Sequence, residues 1–170
     1  YYENRFKLDK SKTLKITLKG FIDKVLTFKD EINTYVIVID YKTGKIETNF
    51  NPVIYGINMQ LLIYLKLLKE NNIGLFAGAY WQNILSDVLT KEEGKTYETV
   101  LRDNYRLDGY TLNNSSLAHS IDTNIENSYI KGLKLKKDGE FYSTSKVLSA
   151  DEIDKLLEIT SDNIDKCIES

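Results

Sequence analysis

The sequence predicts an α/β domain in which a mixed, strongly twisted central β-sheet is flanked by helices. Three observations carry that reading. The run Tyr35-Val36-Ile37-Val38-Ile39 is apolar at consecutive positions, the pattern of a strand buried on both faces and therefore central. The stretch "VIYGINMQLLIYLKLLKENN" follows it, helical and rich in Leu, Ile and Lys. A second buried-strand stretch, "IGLFAGAYWQNI", comes next, and strand, helix and strand at this spacing make a crossover unit.

Taken in order, Leu14, Ile16 and Leu18 alternate with Lys15, Thr17 and Lys19, the period of a half-exposed strand. Gly20 interrupts the alternation, and "FIDKVLTF" resumes it past a bulge. "KDEIN" suits a hairpin loop that returns the chain into the strand over residues 34–41. "KTGKIETN" reads as a turn with a short edge strand. Pro52 fits a helix start, where its missing N–H costs nothing, and Asn71 and Asn72 end the helix. Gly74 and Gly78 allow close backbone approach in the next strand, where Tyr80 and Trp81 are expected in the core. "KTYETVLRDNYRLDGYTLNN" reads as a short helix and a turn, "NNSS" as a loop, and "SSLAHSIDTN" as a short helix. "YIKGLKLKKDGEFYSTSKV" forms a hairpin turning at Asp138-Gly139. Ser149 and Glu152 make a capping box for a last helix with Ile153, Leu156, Leu157, Thr160, Ile164 and Ile168 on one face.

Composition narrows the function classes. With 170 residues the chain fits one domain with a sizeable core, and a net charge of -2 gives no global field toward nucleic acid or acidic membrane. Any phosphate binding must be local. One cysteine excludes a disulfide framework or a Cys-rich metal cluster within the chain and suits a reducing, cytoplasmic setting. No apolar run approaches the roughly 20 residues that span a bilayer, so no membrane partner is expected. The start "YYENRFKLDKSK" lacks signal-peptide features and an initiator Met, so the sequence reads as a piece of something longer.

The chemistry concentrates where the central strand ends in "DYK". Side chains alternate along a strand, so Asp40 and Lys42 share one face while Ile39 and Tyr41 share the other. A hairpin centred at position 31 or 32 makes Asp23 and Asp40 near-opposites. Two carboxylates side by side repel unless a cation neutralises them, and Mg²⁺ takes one or two carboxylates with waters and phosphate oxygens. Such an ion polarises a phosphate and activates water, the Tyr41 carbonyl offers a further ligand, and a lysine positions or deprotonates the attacking water or offsets developing charge. These parts suffice for phosphodiester hydrolysis. The bland alternative is an acid at a strand end and a lysine in a turn. Gln60 and Tyr64, four apart on the first helix with Ile57 and Leu68 on the same face, either reach toward a nucleic-acid strand at the site or are a satisfied polar residue and a plain core residue.

In sequence order, "GFID" (residues 20–23), "VIDYKTG" (residues 38–44) and "QLLIY" (residues 60–64) resemble the PD-(D/E)xK nucleases of the RecB type. The likeness is greatest to the C-terminal nuclease domain of AddB-type subunits of bacterial helicase–nucleases, and the tail from "YRLDGYTLNN" onward resembles theirs too. That resemblance implies a restriction-endonuclease-like core over residues 1–170, a single nuclease domain. It implies metal binding by Asp23 and Asp40, a catalytic Lys42, and a Q-x-x-x-Y motif of Gln60 and Tyr64 contacting DNA. It implies Mg²⁺-dependent exonucleolytic cleavage of DNA, with Mn²⁺ substituting, in double-strand break repair and recombination beside an AddA-like partner subunit. The family has a further upstream acid or His, for which Glu3 is the candidate here. AddB-type subunits also hold an iron–sulfur cluster through one upstream and three downstream cysteines. Cys167 fits no such motif and reads as a buried thiol. Two rivals are a non-catalytic DNA-end-binding or scaffolding module with the same fold, and a stand-alone exonuclease of the CRISPR-associated or phage kind.

His119 has no partner pattern and is read as structural or surface. Lys131, Lys134, Lys136 and Lys137 with Phe141 and Tyr142 make a basic, aromatic hairpin, either a DNA contact or a solvated face.

Overall fold

The computed structural model describes residues 5–8, 16–44, 48–85 and 93–169, with the backbone alone for 5–8 and 16–19. β1 (Arg5–Leu8) and β2 (Ile16–Lys19) pair as an antiparallel ribbon. The main sheet is built on β4 (Thr34–Lys42), with β3 (Lys24–Lys29) antiparallel on one side and β5 (Leu75–Asn83) parallel on the other. β6 (Leu107–Leu112) runs antiparallel to β5, and β7 (Ile130–Lys131) and β8 (Val147–Leu148) both pair in parallel with β6. The sheet is thus mixed, and helices flank it, consistent with a restriction-endonuclease-like fold.

The expected crossover is present: β4 leads through α1 (Gln60–Glu70) to its parallel neighbour β5. α2 (Tyr97–Asn104), α3 (Ser115–Ile121) and α4 (Ala150–Glu169) complete the layers. On one face of the sheet Val36, Val38, Ala79 and Trp81 pack against Leu61, Leu65 and Leu68 of α1 and Ile153 and Leu157 of α4. On the other, Tyr35, Ile37, Ile39 and Tyr80 meet Leu117 and Ala118 of α3 with Ile130 and Leu133. Burial on both faces is why β4 reads as unbroken apolar sequence. Each fully buried Val or Leu side chain contributes about 1.5–3 kcal/mol.

A bulge sets the phase of β5. Val36 pairs with Phe76 but Ile37 pairs with Gly78, so Ala77 is the extra residue. Past it, Ala79 and Trp81 face α1, and Tyr80 faces α3 with its hydroxyl 2.7 Å from Thr111 Oγ1. Gly78 is required here, since a Cβ would lie 2.5 Å from the Tyr80 ring. At Gly109, opposite Tyr80, a Cβ would lie 2.1 Å from the Ala79 carbonyl oxygen.

Several expectations are corrected. β2 and β3 belong to different sheets, so "FIDKVLTF" does not continue the first strand. The long helix is two elements: a 3-10 turn, Asn51–Tyr55, ends at Gly56 (φ 74°), and Asn58 (φ 59°) adds a second left-handed residue before α1 begins. "LDGYTL" is strand β6, not a turn. The hairpin after β7 turns at Asp138-Gly139 as expected, with one bridge, Leu135 to Phe141. The turn and edge strand expected over "KTGKIETN" fall partly on residues 45–47, outside the described residues. The capping box is present: Glu152 N donates to Ser149 Oγ at 3.2 Å and Ser149 N to Glu152 Oε2 at 2.8 Å.

Candidate active site

The β3–β4 hairpin fixes the first pair of groups. Its loop is held by Asp30, whose Oδ1 accepts from Ile32 N at 2.8 Å and Asn33 N at 2.6 Å. Those backbone bonds, that from Asn33 foremost, hold the Asp30 carboxyl below its usual range. With the loop set, Lys24 pairs with Ile39, and one step further along that register Asp23 lies opposite Asp40. Asp23 Oδ2 accepts from Tyr41 N at 2.8 Å, tying the bend before β3 to the end of β4.

Alternation supplies the next contacts. Val36 and Val38 face α1, so Asp40 and Lys42 face it as well, at the point where the apolar row stops. Lys42 Nζ lies 2.5 Å from Asp40 Oδ2 and donates to Gln60 Oε1 at 2.6 Å. Gln60 Nε2 donates to Tyr64 Oη at 2.7 Å, one turn along α1. Asp23, Asp40, Lys42, Gln60 and Tyr64, all candidates from sequence, therefore converge, and a continuous polar line runs from β4 to α1. Leu68 is buried on α1, but Ile57 precedes the helix and is 55% exposed, so it does not share the face expected of it.

Burial gives the cluster its electrostatic character. Asp40 is 1% exposed, and its carboxyl is raised above the usual carboxylate range. Desolvation is the main cause, Lys42 opposes it, and Asp23 adds to it. The Tyr64 phenol is raised as well, by burial first, countered by the bond with Gln60 and helped by the charges of Asp40 and Asp23. Two carboxylates against one ammonium leave an excess of negative charge. Such a donor set suits a hard divalent cation, and Asp23, Asp40 and the Tyr41 carbonyl are the groups that could hold one. Among the described residues no cluster of three or more His, Cys, Asp or Glu side chains suits a metal, and Glu3 lies outside them.

Sequence reasoning missed a second polar group on this face. Asp40 pairs with Trp81, and Trp81 with Asp108, so Asp108 stands two strands away on the same side of the sheet. Lys146 Nζ lies 2.5 Å from Asp108 Oδ1 and donates to Thr48 Oγ1 at 3.0 Å. Separations of 38 and 98 residues leave no local pattern for such contacts. His119 is exposed on α3. Cys167 is exposed too, correcting the expectation of a buried thiol.

The chain is similar to the AddB-type subunit of the ATP-dependent helicase/deoxyribonuclease of Carboxydothermus hydrogenoformans, 37% identical over 74% of the chain, and of Clostridium kluyveri, 32% identical over 79%. The corresponding protein of Thermoanaerobacter sp. (strain X514) is 31% identical over 83% of the chain. The chain spans 13% of the length of each of these relatives. The family model of the PD-(D/E)XK nuclease superfamily matches residues 2–167, and the chain belongs to that superfamily.

Proposed function

We propose that residues 1–170 form a single metal-dependent deoxyribonuclease domain, a piece of a larger helicase–nuclease protein, that hydrolyses DNA phosphodiester bonds. The observation that carries this reading is the convergence of Asp23, Asp40 and Lys42 at the end of a buried strand, with Asp40 desolvated beside a second acid. In this reading Asp23, Asp40 and the Tyr41 carbonyl hold Mg²⁺, for which Mn²⁺ substitutes. When bound, the cation supplies Lewis-acid polarisation of a phosphate oxygen.

Lys42, an ammonium paired with Asp40, donates hydrogen bonds at the reacting phosphate and offsets the charge that develops there. Gln60 holds Lys42 through its Oε1 and contacts the DNA strand together with Tyr64. Asp23 fixes the backbone at Tyr41. Exonucleolytic action in double-strand break repair, an AddA-like partner subunit and a cytoplasmic setting belong to this reading through the family resemblance alone, while the relatives' names supply the helicase/deoxyribonuclease subunit. No helix among the described residues is long and apolar enough to cross a membrane. The lone Cys167 leaves any iron–sulfur cluster to other parts of a larger protein.

The test is a nuclease assay with Mg²⁺ or Mn²⁺ on the wild-type chain and on Asp40→Ala and Lys42→Ala. Loss of cleavage in both variants is expected, and equal activity in all three rules the site out. Calorimetric titration of Mn²⁺ into wild type and Asp23→Ala checks the ligand set separately.

A further inference from the structure

We propose that the DNA reaches the site over the β7 edge of the sheet, lying along the basic segment of residues 131–146 and away from α4. The inference rests on DNA being the substrate, and it names where on the chain the strand lies. The register carries it. Asp40, Trp81, Asp108 and Lys131 are successive partners in one row across β4, β5, β6 and β7, so all four point to the same side of the sheet. Strand spacing puts Lys131 about 14 Å from Asp40 along that row. Asp108, the acid between them, is neutralised by Lys146 and does not repel a phosphate backbone passing over it.

Charge separates the two flanks. Residues 131–146 carry five lysines against two acids, a net of +3, or +2 once Lys146 is set against Asp108. α4 carries seven acids against two lysines, a net of −5. Lys134 and Lys137 are exposed, and so is Tyr142, whose N–H donates to the Lys134 carbonyl, so an aromatic surface for base stacking accompanies the ammonium groups. Lys136 is held by Glu140 at 2.9 Å and contributes less. Backbone neutralisation dominates the affinity of DNA-binding proteins, so a strand settles on the flank where lysines are concentrated.

The test compares two triple variants with the same net charge. Lys131→Gln/Lys134→Gln/Lys137→Gln alters the segment, and Lys29→Gln/Lys155→Gln/Lys166→Gln alters exposed lysines elsewhere. Binding of a labelled single-stranded oligonucleotide is measured in a chelator, across a salt series, with thermal midpoints recorded to verify folding. The segment variant should bind about tenfold or more weaker, with its log–log salt slope smaller in magnitude by about 2, at roughly 0.7 per phosphate contact. The control variant should stay within about twofold of wild type. Equal loss in both variants, unchanged binding by the segment variant, or no binding by wild type overturns the proposal. Because no cleavage is needed, a chain that binds this way without cutting refutes the nuclease reading alone. A chain that cuts while its segment variant binds normally refutes only the path.

Discussion

Replacing Asp40 with Asn should abolish cleavage and raise stability together. The carboxamide keeps the shape of the side chain and can still accept from Lys42, but it removes a charge buried beside Asp23. Two terms set the magnitude. The ion pair with Lys42, whose side chain is 35% exposed, is screened by solvent and contributes up to about 1 kcal/mol. Relief of burying an incompletely paired carboxylate contributes on the order of 1–3 kcal/mol. The raised Asp40 carboxyl says that the second term wins. A net gain of about 1 kcal/mol corresponds to a rise of about 2–4 °C in thermal midpoint for a chain of this size. The pH dependence has a definite sign. An acid raised in the folded state binds its proton more tightly there than in the unfolded chain, so wild-type stability falls as pH rises through that window. The advantage of Asp40→Asn is therefore greatest at neutral pH and shrinks on acidification. Calorimetry across pH, with cleavage measured in parallel, is the assay. Cleavage should fall by at least about a hundredfold, since even groups supporting a metal ligand cost 10–100-fold. A midpoint that drops by several degrees would show Asp40 to be a structural ion-pair partner, and cleavage within tenfold of wild type would refute its proposed role.

Other perturbations test the frame that positions the site. Gly109→Ala drives a Cβ into the Ala79 carbonyl and should cost about 1–3 kcal/mol, read as a lower thermal midpoint; an unchanged midpoint would contradict the close contact of β5 and β6. Tyr80→Phe and Thr111→Val each strand a buried hydroxyl at a cost of about 1–3 kcal/mol, and the double variant should cost less than their sum; strict additivity in denaturant unfolding would mean the hydroxyls do not pair. Asp122 is pushed up by burial but held below its usual range by Ser128 Oγ and the N–H groups of Asn124 and Tyr129, with Arg106 assisting. Its stabilisation is present above the unfolded carboxylate range and lost as pH falls through the lowered folded value. Asp122→Asn should thus cost about 1–2 kcal/mol at pH 7 and converge with wild type in acid, and a pH-independent gap in melting experiments would exclude the linkage.

The parts of the fold that were legible in sequence are those whose cause is local. β4 announces itself because burial on both faces demands apolar residues at consecutive positions, and its end is marked by the switch to Asp40 and Lys42. The polar loop fixes a hairpin centre, and the centre alone sets Asp23 against Asp40. Gln60 and Tyr64 meet because of helical spacing. The illegible parts depend on partners far along the chain. β6 hid behind Asp108 and Gly109, which look like a turn until Lys146 neutralises the acid and the β5 backbone occupies the space a Cβ would need. The break at Gly56 and Asn58 hid in a stretch with helical composition, and with it went the expected place of Ile57. Cys167 lies in the last turn of α4, beyond Ile164, the last residue of that helix in the buried core. The bond from Lys42 to Gln60 joins two motifs read separately from sequence, and only the packing of α1 on β4 makes them one group.

The extra residue at Ala77 makes β5 a strand whose length counts. Removing it would leave Gly78 following Phe76 in a regular ladder with residues 79–83 unturned, whereas a residue inserted after Gly78 would turn them over, sending the indole of Trp81 toward α3 and the phenol of Tyr80 toward α1. Phe50, which now rests on Trp81 at a ring separation of 5.4 Å, would lose that neighbour, and Thr111 would lose its phenol. Single-codon insertions after Gly78 should therefore be purged far more strictly than removal of Ala77, and an insertion and deletion scan of residues 75–83 would read that asymmetry directly.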